Sequence, residues 1–207
     1  MPGMPVRHLY LTRHAEPDAH GGLTERGVRQ AVRLGQRMSA VPLTSVLHGP
    51  LPRAAETARV VAGQFASQVP VTERDAVGDY VPHVPTADQV DPEFRAEALA
   101  FLADVTTGEA ARGAALAAEA VRLLTGPEQG EEGIHQLVVT HAFTIGWLVR
   151  HACGAPPWRW LGLDHGHAAL TVLRYSTDRP PTVVVFNDMS HLPDELRWTG
   201  FPPGMTL

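Results

Sequence analysis

No lysine occurs anywhere in the 207-residue chain; all 17 basic side chains are arginine. Biased composition accounts for this without invoking chemistry, yet it excludes a Schiff-base lysine and a lysine-bearing phosphate loop. Cys153 is the single cysteine, which rules out an intrachain disulfide framework and a cysteine-based zinc site. No apolar run is long enough to span a bilayer, and Met-Pro-Gly-Met-Pro at the start is not a charged segment leading an apolar one. The expected compartment is therefore the cytoplasm, with no membrane partner. A net charge of −5 with histidine neutral leaves no electrostatic footprint for nucleic acid. No His/Asp/Glu group has the spacing of a metal site, so neither metal nor cofactor is expected. What remains is a 44% hydrophobic, 19% charged chain, which fits one globular domain over 1–207 with a sizeable core.

The hydrophobic pattern alternates between strands and helices. Val6 to Thr12 reads as a buried strand, and 17–22 as a loop. Thr24 suits an N-cap for a helix over about 25–40, where Val28, Ala31, Val32, Gly35 and Met38 recur at helical spacing. Ser45–His48 predicts a short strand, and Gly49-Pro-Leu-Pro52 a turn opening a helix to about Gln64. Val69–Thr72 predicts a third strand, and 73–93 a long Asp-, Pro- and Gly-rich loop over the sheet edge. Helices are expected over 93–105 and 109–125, a surface turn over 126–133, a strand over 135–140 and a helix to about Cys153. Strands over 168–174 and 182–187 complete the pattern. The expected fold is α/β, a three-layer α/β/α sandwich with a mostly parallel central sheet.

Three strand ends carry unusual polar residues. The first strand runs into Arg13-His14, the second precedes Arg53 in the first turn of a helix, and Val-Val-Thr140 runs into His141. In an open parallel sheet such ends converge on one edge, where ligands bind. Two guanidinium groups, two imidazoles and helix-start N–H groups on one cavity suit a phosphate dianion. A histidine there can also act as a covalent nucleophile. His165-Gly-His167 supplies two histidines, too few for a metal site, and is read as pocket lining or a loop turn; Trp158 and Trp160 are read as packing.

Thr-Arg13-His14-Ala15-Glu16, Leu23-Thr-Glu-Arg-Gly27, Pro50-Leu-Pro-Arg53-Ala-Ala-Glu-Thr-Ala58 and Thr140-His141 come in this order between about 6 and 175. Together they resemble the motifs of the histidine phosphatase superfamily, the phosphoglycerate mutase-like fold family, with the PGAM-like phosphatase branch the most similar. The resemblance implies a metal-independent phosphomonoester hydrolase that works through a phosphohistidine. It makes His14 the nucleophile and sets Arg13, Arg53 and His141 on the phosphoryl oxygens, with Ala142 beside them in the substrate site. It implies a phosphorylated small molecule or phosphoprotein as substrate and permits a homodimer.

The sequence departs from the family pattern at Ala15, where glycine is usual, and at His48-Gly49, where Ser-Ser is usual. The usual acidic motif is also missing. The acid that protonates the leaving oxygen is expected from loop 73–93, which carries Glu73, Asp75, Asp79 and Asp88. Gly78-Asp79-Tyr-Val-Pro82 sits in the register where the PGAM-like phosphatases carry theirs, which favours Asp79 over Glu73 and Asp75. Two rival readings use the same pocket: a phosphoglycerate mutase-type phosphotransferase and a catalytically weak phosphate-binding module. Few basic residues between Arg53 and His141 speak against the first.

Overall fold

A computed structural model describes residues 6–127 and 133–201. Most of the turn expected over 126–133 lies outside the described residues. Among the described residues six strands form one sheet in the order β3-β2-β4-β1-β5-β6. They are β1 Val6–Arg13, β2 Ser45–His48, β3 Val71–Glu73, β4 Ile134–Thr140, β5 Leu170–Ser176 and β6 Thr182–Asp188. The first four in that order are mutually parallel, and β5 and β6 join antiparallel. The helices are α1 Glu25–Met38, α2 Pro52–Ala62, α3 Arg95–Phe101, α4 Thr107–Leu124 and α5 Ala142–Ala152.

Strand residues alternate between two cores because successive side chains point to opposite faces. Leu9, Leu11, Leu47 and Val138 pack with Ala120, Leu124, Ile145 and Leu148 of α4 and α5. Val46, Leu137 and Val139 pack with Ala31, Leu34, Ala54, Ala58 and Val61 of α1 and α2. Helices thus cover both faces of a mostly parallel sheet, as the strand–helix alternation predicts, and such strands read as near-continuous apolar runs.

Register sets the site. Arg13 pairs with Thr140, and His48 with Val139, so β1, β2 and β4 end together. The ladder runs one step further, with His14 N–H donating to Thr140 O at 2.9 Å and Gly49 N–H to Val139 O at 3.2 Å. The turn before antiparallel β5 reaches the same edge, since Leu170 pairs with Thr12.

Element ends differ from the sequence expectation where local hydrogen bonding decides them. The helix expected over 93–105 spans only Arg95–Phe101, because beyond it the N–H groups of Ala103 and Val105 turn to the carbonyls three residues back, those of Ala100 and Leu102, and the chain leads into Thr106, extended (φ −70°, ψ 156°) as the cap of α4. Thr106 and Glu109 form a capping box that begins α4 at Thr107 instead of 109. The third strand shifts to Val71–Glu73, since Pro70 has no N–H and contributes only its carbonyl, to Val46. Helix α1 ends at Met38, and α2 ends at Ala62 with Gly63 as its cap. Loop 73–93 contains a 3₁₀ turn, Asp75–Val77, whose Ala76 and Val77 are buried.

Candidate active site

Arg13 closes β1 and His14 follows it; Arg53 sits in the first turn of α2, and His141 is the N-cap of α5. Together with Asp79, Pro17, Ala142 and Phe143 they line one pocket of about 300 Å³. Ala142 places the first turn of α5, with its free N–H groups, on the pocket wall.

His14 is buried, and its Nδ1 lies 2.8 Å from the carbonyl of Ala15. A carbonyl accepts only, so Nδ1 carries the proton and Nε2 holds the lone pair. The other contact agrees: Arg53 Nε–H donates to Nε2 at 3.1 Å. Burial pushes the imidazole down to about 3, with help from His141, Arg13 and Arg53 and against the pull of the Ala15 carbonyl. His14 is therefore a neutral imidazole with its lone pair turned toward the pocket.

Arg13 is aimed by backbone. Its Nη1 donates to His165 O at 2.9 Å and to Gly200 O at 2.8 Å. Arg53 links the two sides of the pocket, because its Nη2 donates to Asp79 Oδ2 at 2.8 Å while its Nε reaches His14. His141 is buried, and among the described residues neither ring nitrogen has a hydrogen bond; its Nδ1 lies 3.5 Å from Asp79 Oδ2. Burial, then Arg53 and Arg13, push it down to about 3.

Asp79 is brought into the pocket by its neighbours' carbonyls. Thr140 Oγ1 donates to Val77 O at 2.6 Å and Thr144 Oγ1 to Gly78 O at 2.8 Å, which fastens the loop to β4 and α5. A Cβ on Gly49 would stand 2.6 Å from Val77 O, so glycine there lets the loop approach. The alternative acids lie elsewhere. Glu73 is at the end of edge strand β3, Asp88 is fully exposed, and Asp75 faces a neighbouring cleft. None of these three lines the pocket.

The departures from the family pattern are accommodated. The Ala15 methyl joins the core under α1 and α2, and its N–H donates to Thr57 Oγ1. Thr57 in turn donates to the Arg53 carbonyl at 2.7 Å, tying the nucleophile's segment to α2. His48 folds its Nδ1 onto Gly49 O and stays out of the pocket.

Sequence reasoning missed the closing segment. Gln30 is fully buried in α1; its Oε1 accepts from Glu16 N–H, and its Nε2 donates to Leu196 O and Thr199 Oγ1. This holds residues 196–200 over the sheet end, where Gly200 O meets Arg13. Gly200 has φ +88°, and a Cβ there would lie 2.6 Å from Arg13 Nη1. His167, expected as lining or a loop turn, stacks at a tilt 5.3 Å from His14 and pairs with Thr199 Oγ1.

Comparison with known proteins agrees with this geometry. A family model described as "Histidine phosphatase superfamily (branch 1)" matches residues 9–189. The chain is 26% identical over 206 residues to the mitochondrial serine/threonine-protein phosphatase Pgam5 of Caenorhabditis briggsae, covering 93% of this chain and 67% of that protein. It spans about two thirds of the length of such curated relatives. Among solved structures, Bacillus stearothermophilus YhfR superposes with a TM-score of 0.66 at 26% identity, over 89% of this chain and 98% of that one. Phosphoglycerate mutase from Bacillus anthracis shares the fold, with a TM-score of 0.64 at 21% identity over 92% and 96%.

Proposed function

The chain belongs to the histidine phosphatase superfamily, branch 1, and from that premise we propose that it hydrolyses phosphomonoesters through a phosphohistidine at His14, without a metal. The observation that carries the reading is the setting of His14, whose Nδ1 faces the Ala15 carbonyl and whose Nε2 accepts from Arg53, in one pocket with Arg13 and His141. An incoming phosphoryl dianion takes Arg53 as partner. That frees the His14 lone pair and Asp79 together, because Arg53 holds both at rest.

The Nε2 lone pair then forms the P–N bond as the P–O bond to the alcohol breaks. Arg13, Arg53 and the first turn of α5 stabilise the charge on the equatorial oxygens. His141, neutral and lining the same pocket, presents a ring nitrogen to the same group. Asp79, once Arg53 has turned from it to the phosphoryl group, takes up a proton from solvent and hands it to the departing alkoxide, then takes one from the water that attacks phosphorus. Phosphate leaves and His14 returns to its neutral form. Two fixed guanidinium groups already offset the phosphoryl charge, which is the support for metal independence.

A phosphorylated metabolite or a phosphoprotein fits this chemistry. A serine/threonine-protein phosphatase among the relatives lends weight to the latter. The test is p-nitrophenyl phosphate turnover in excess EDTA, set beside 3-phosphoglycerate interconversion with 2,3-bisphosphoglycerate. Hydrolysis without interconversion is expected. Interconversion, or activity that EDTA removes and magnesium or zinc restores, would refute the reading.

A further inference from the structure

A second cavity adjoins the catalytic pocket, and Asp79 forms part of the wall of both. It holds about 480 Å³ between the start of α2, the turn at 75–81 and the start of α4. Leu51, Val81, Val105 and Leu116 give it apolar walls. The Tyr80 hydroxyl donates to Ala76 O, so this ring too presents mainly carbon. Gly113 closes the far side, where α4 touches the Val81 carbonyl too closely for a Cβ.

The charged groups around this apolar floor are mostly negative. Asp75, Asp104 and Glu109 line the cavity against one guanidinium, that of Arg112. Glu109 is a fixed charge, since Thr106 N–H and Oγ1 both donate to its carboxylate, and those bonds hold it below the usual carboxylate range. Neither the Asp75 nor the Asp104 carboxylate has a hydrogen bond or ion pair among the described residues, so both are available to a ligand. The phosphoryl group sits on one side of Asp79, and the bridging oxygen that Asp79 protonates must lie beside it. With the phosphoryl group in the catalytic pocket, an alcohol portion that extends past Asp79 enters this second cavity.

Resting on the phosphatase reading, we propose that the second cavity is the leaving-group site and selects esters whose alcohol carries a cationic group on an apolar stem. An ester with a second phosphate or a carboxylate on its alcohol meets like charge there, while an ammonium or guanidinium meets Asp75, Asp104 and Glu109. Such a cation comes from a small amino alcohol or from a basic residue flanking a phosphorylated side chain.

The test measures kcat/KM for matched pairs, with p-nitrophenyl phosphate as the neutral reference. One pair is phosphoethanolamine and phosphoglycolate. The other is two phosphothreonine peptides differing only in arginine or glutamate at the flanking positions. The cationic member is expected to lead by about tenfold in at least one pair, since each exposed ion pair contributes up to roughly fivefold. Whichever pair shows it identifies the source. Salt should shrink the preference, and the double variant Asp75→Asn, Asp104→Asn should reduce it to about twofold to threefold. Turnover of p-nitrophenyl phosphate with both pairs within twofold, or with the anionic members ahead, overturns this inference and leaves the phosphatase reading standing. Turnover of none of the five esters overturns both.

Discussion

Replacing Arg53 with lysine tests whether the guanidinium fork, and not merely its charge, is required. Arg53 donates through Nε to His14 at 3.1 Å and through Nη2 to Asp79 at 2.8 Å, so one planar group spans nucleophile and acid. An ammonium at the same place is a single point charge and cannot hold two phosphoryl oxygens in a fixed plane. Losing one donor aimed at developing negative charge costs about 2.7–4 kcal/mol of barrier, or roughly 10²–10³ in kcat. The retained charge offsets part of that. Arg53→Lys should therefore lose about 10²-fold in kcat, and Arg53→Ala about 10³-fold or more. Arg53 lies in the first turn of α2, where lysine and arginine have nearly equal helix propensity, so the lysine variant should melt within a few degrees of the parent. Steady-state turnover of p-nitrophenyl phosphate, read beside a thermal melt, separates the two effects. A lysine variant with kcat within threefold of the parent would show that Arg53 acts as a general positive charge and that the fork argument is wrong.

Asp79→Asn should depress kcat strongly for alkyl phosphates and much less for p-nitrophenyl phosphate, whose leaving group needs little protonation; equal losses on both would remove Asp79 from the acid role. Stability should fall as the solution is made more acidic. His14, His141, His165 and His167 are held neutral at about 3, 3, 3 and 2 by burial, whereas unfolded imidazoles titrate near about 6.5. The unfolded chain binds protons first, so stability is lost progressively as pH drops from about 6.5 toward 3. A Tm that does not change between pH 7 and 5 would contradict this. Gln30→Leu leaves Glu16 N–H and Leu196 O without their partner, at about 1–3 kcal/mol for each buried group. It should lower the Tm and, well below that Tm, also kcat, because Gly200 would no longer hold Arg13 firmly; an unchanged kcat would make Gln30 purely structural.

The parts of the site that sequence reveals are those fixed by local rules. Arg13-His14 and Thr140-His141 each mark the last step of an apolar strand, and parallel pairing of β1 with β4 brings the two steps together. Arg53 is legible because Pro52 can only begin a helix. Asp79 is legible by register alone, since threonine hydroxyls gripping two backbone carbonyls place it, and neither carbonyl leaves a trace in the sequence. The contact between Arg13 and Gly200 joins residues 187 positions apart through a backbone oxygen, for which no side-chain signature exists. Gln30 was hidden by its polarity, which among the residues at helical spacing in α1 suggests solvent, whereas the fold buries it completely. The sequence overstates α3 because an apolar pattern does not show where backbone hydrogen bonding tightens from helix into turns, as it does after Phe101.

The proposed chemistry turns on a covalent phosphate on His14. Protein mixed with a rapidly cleaved phosphomonoester and quenched in alkali within one turnover should carry one phosphate, stable in base and labile in acid. Peptide mapping should place it on His14, and His14→Ala should carry none and turn nothing over. A phosphate mapped to His141, or full activity in His14→Ala, would contradict the account.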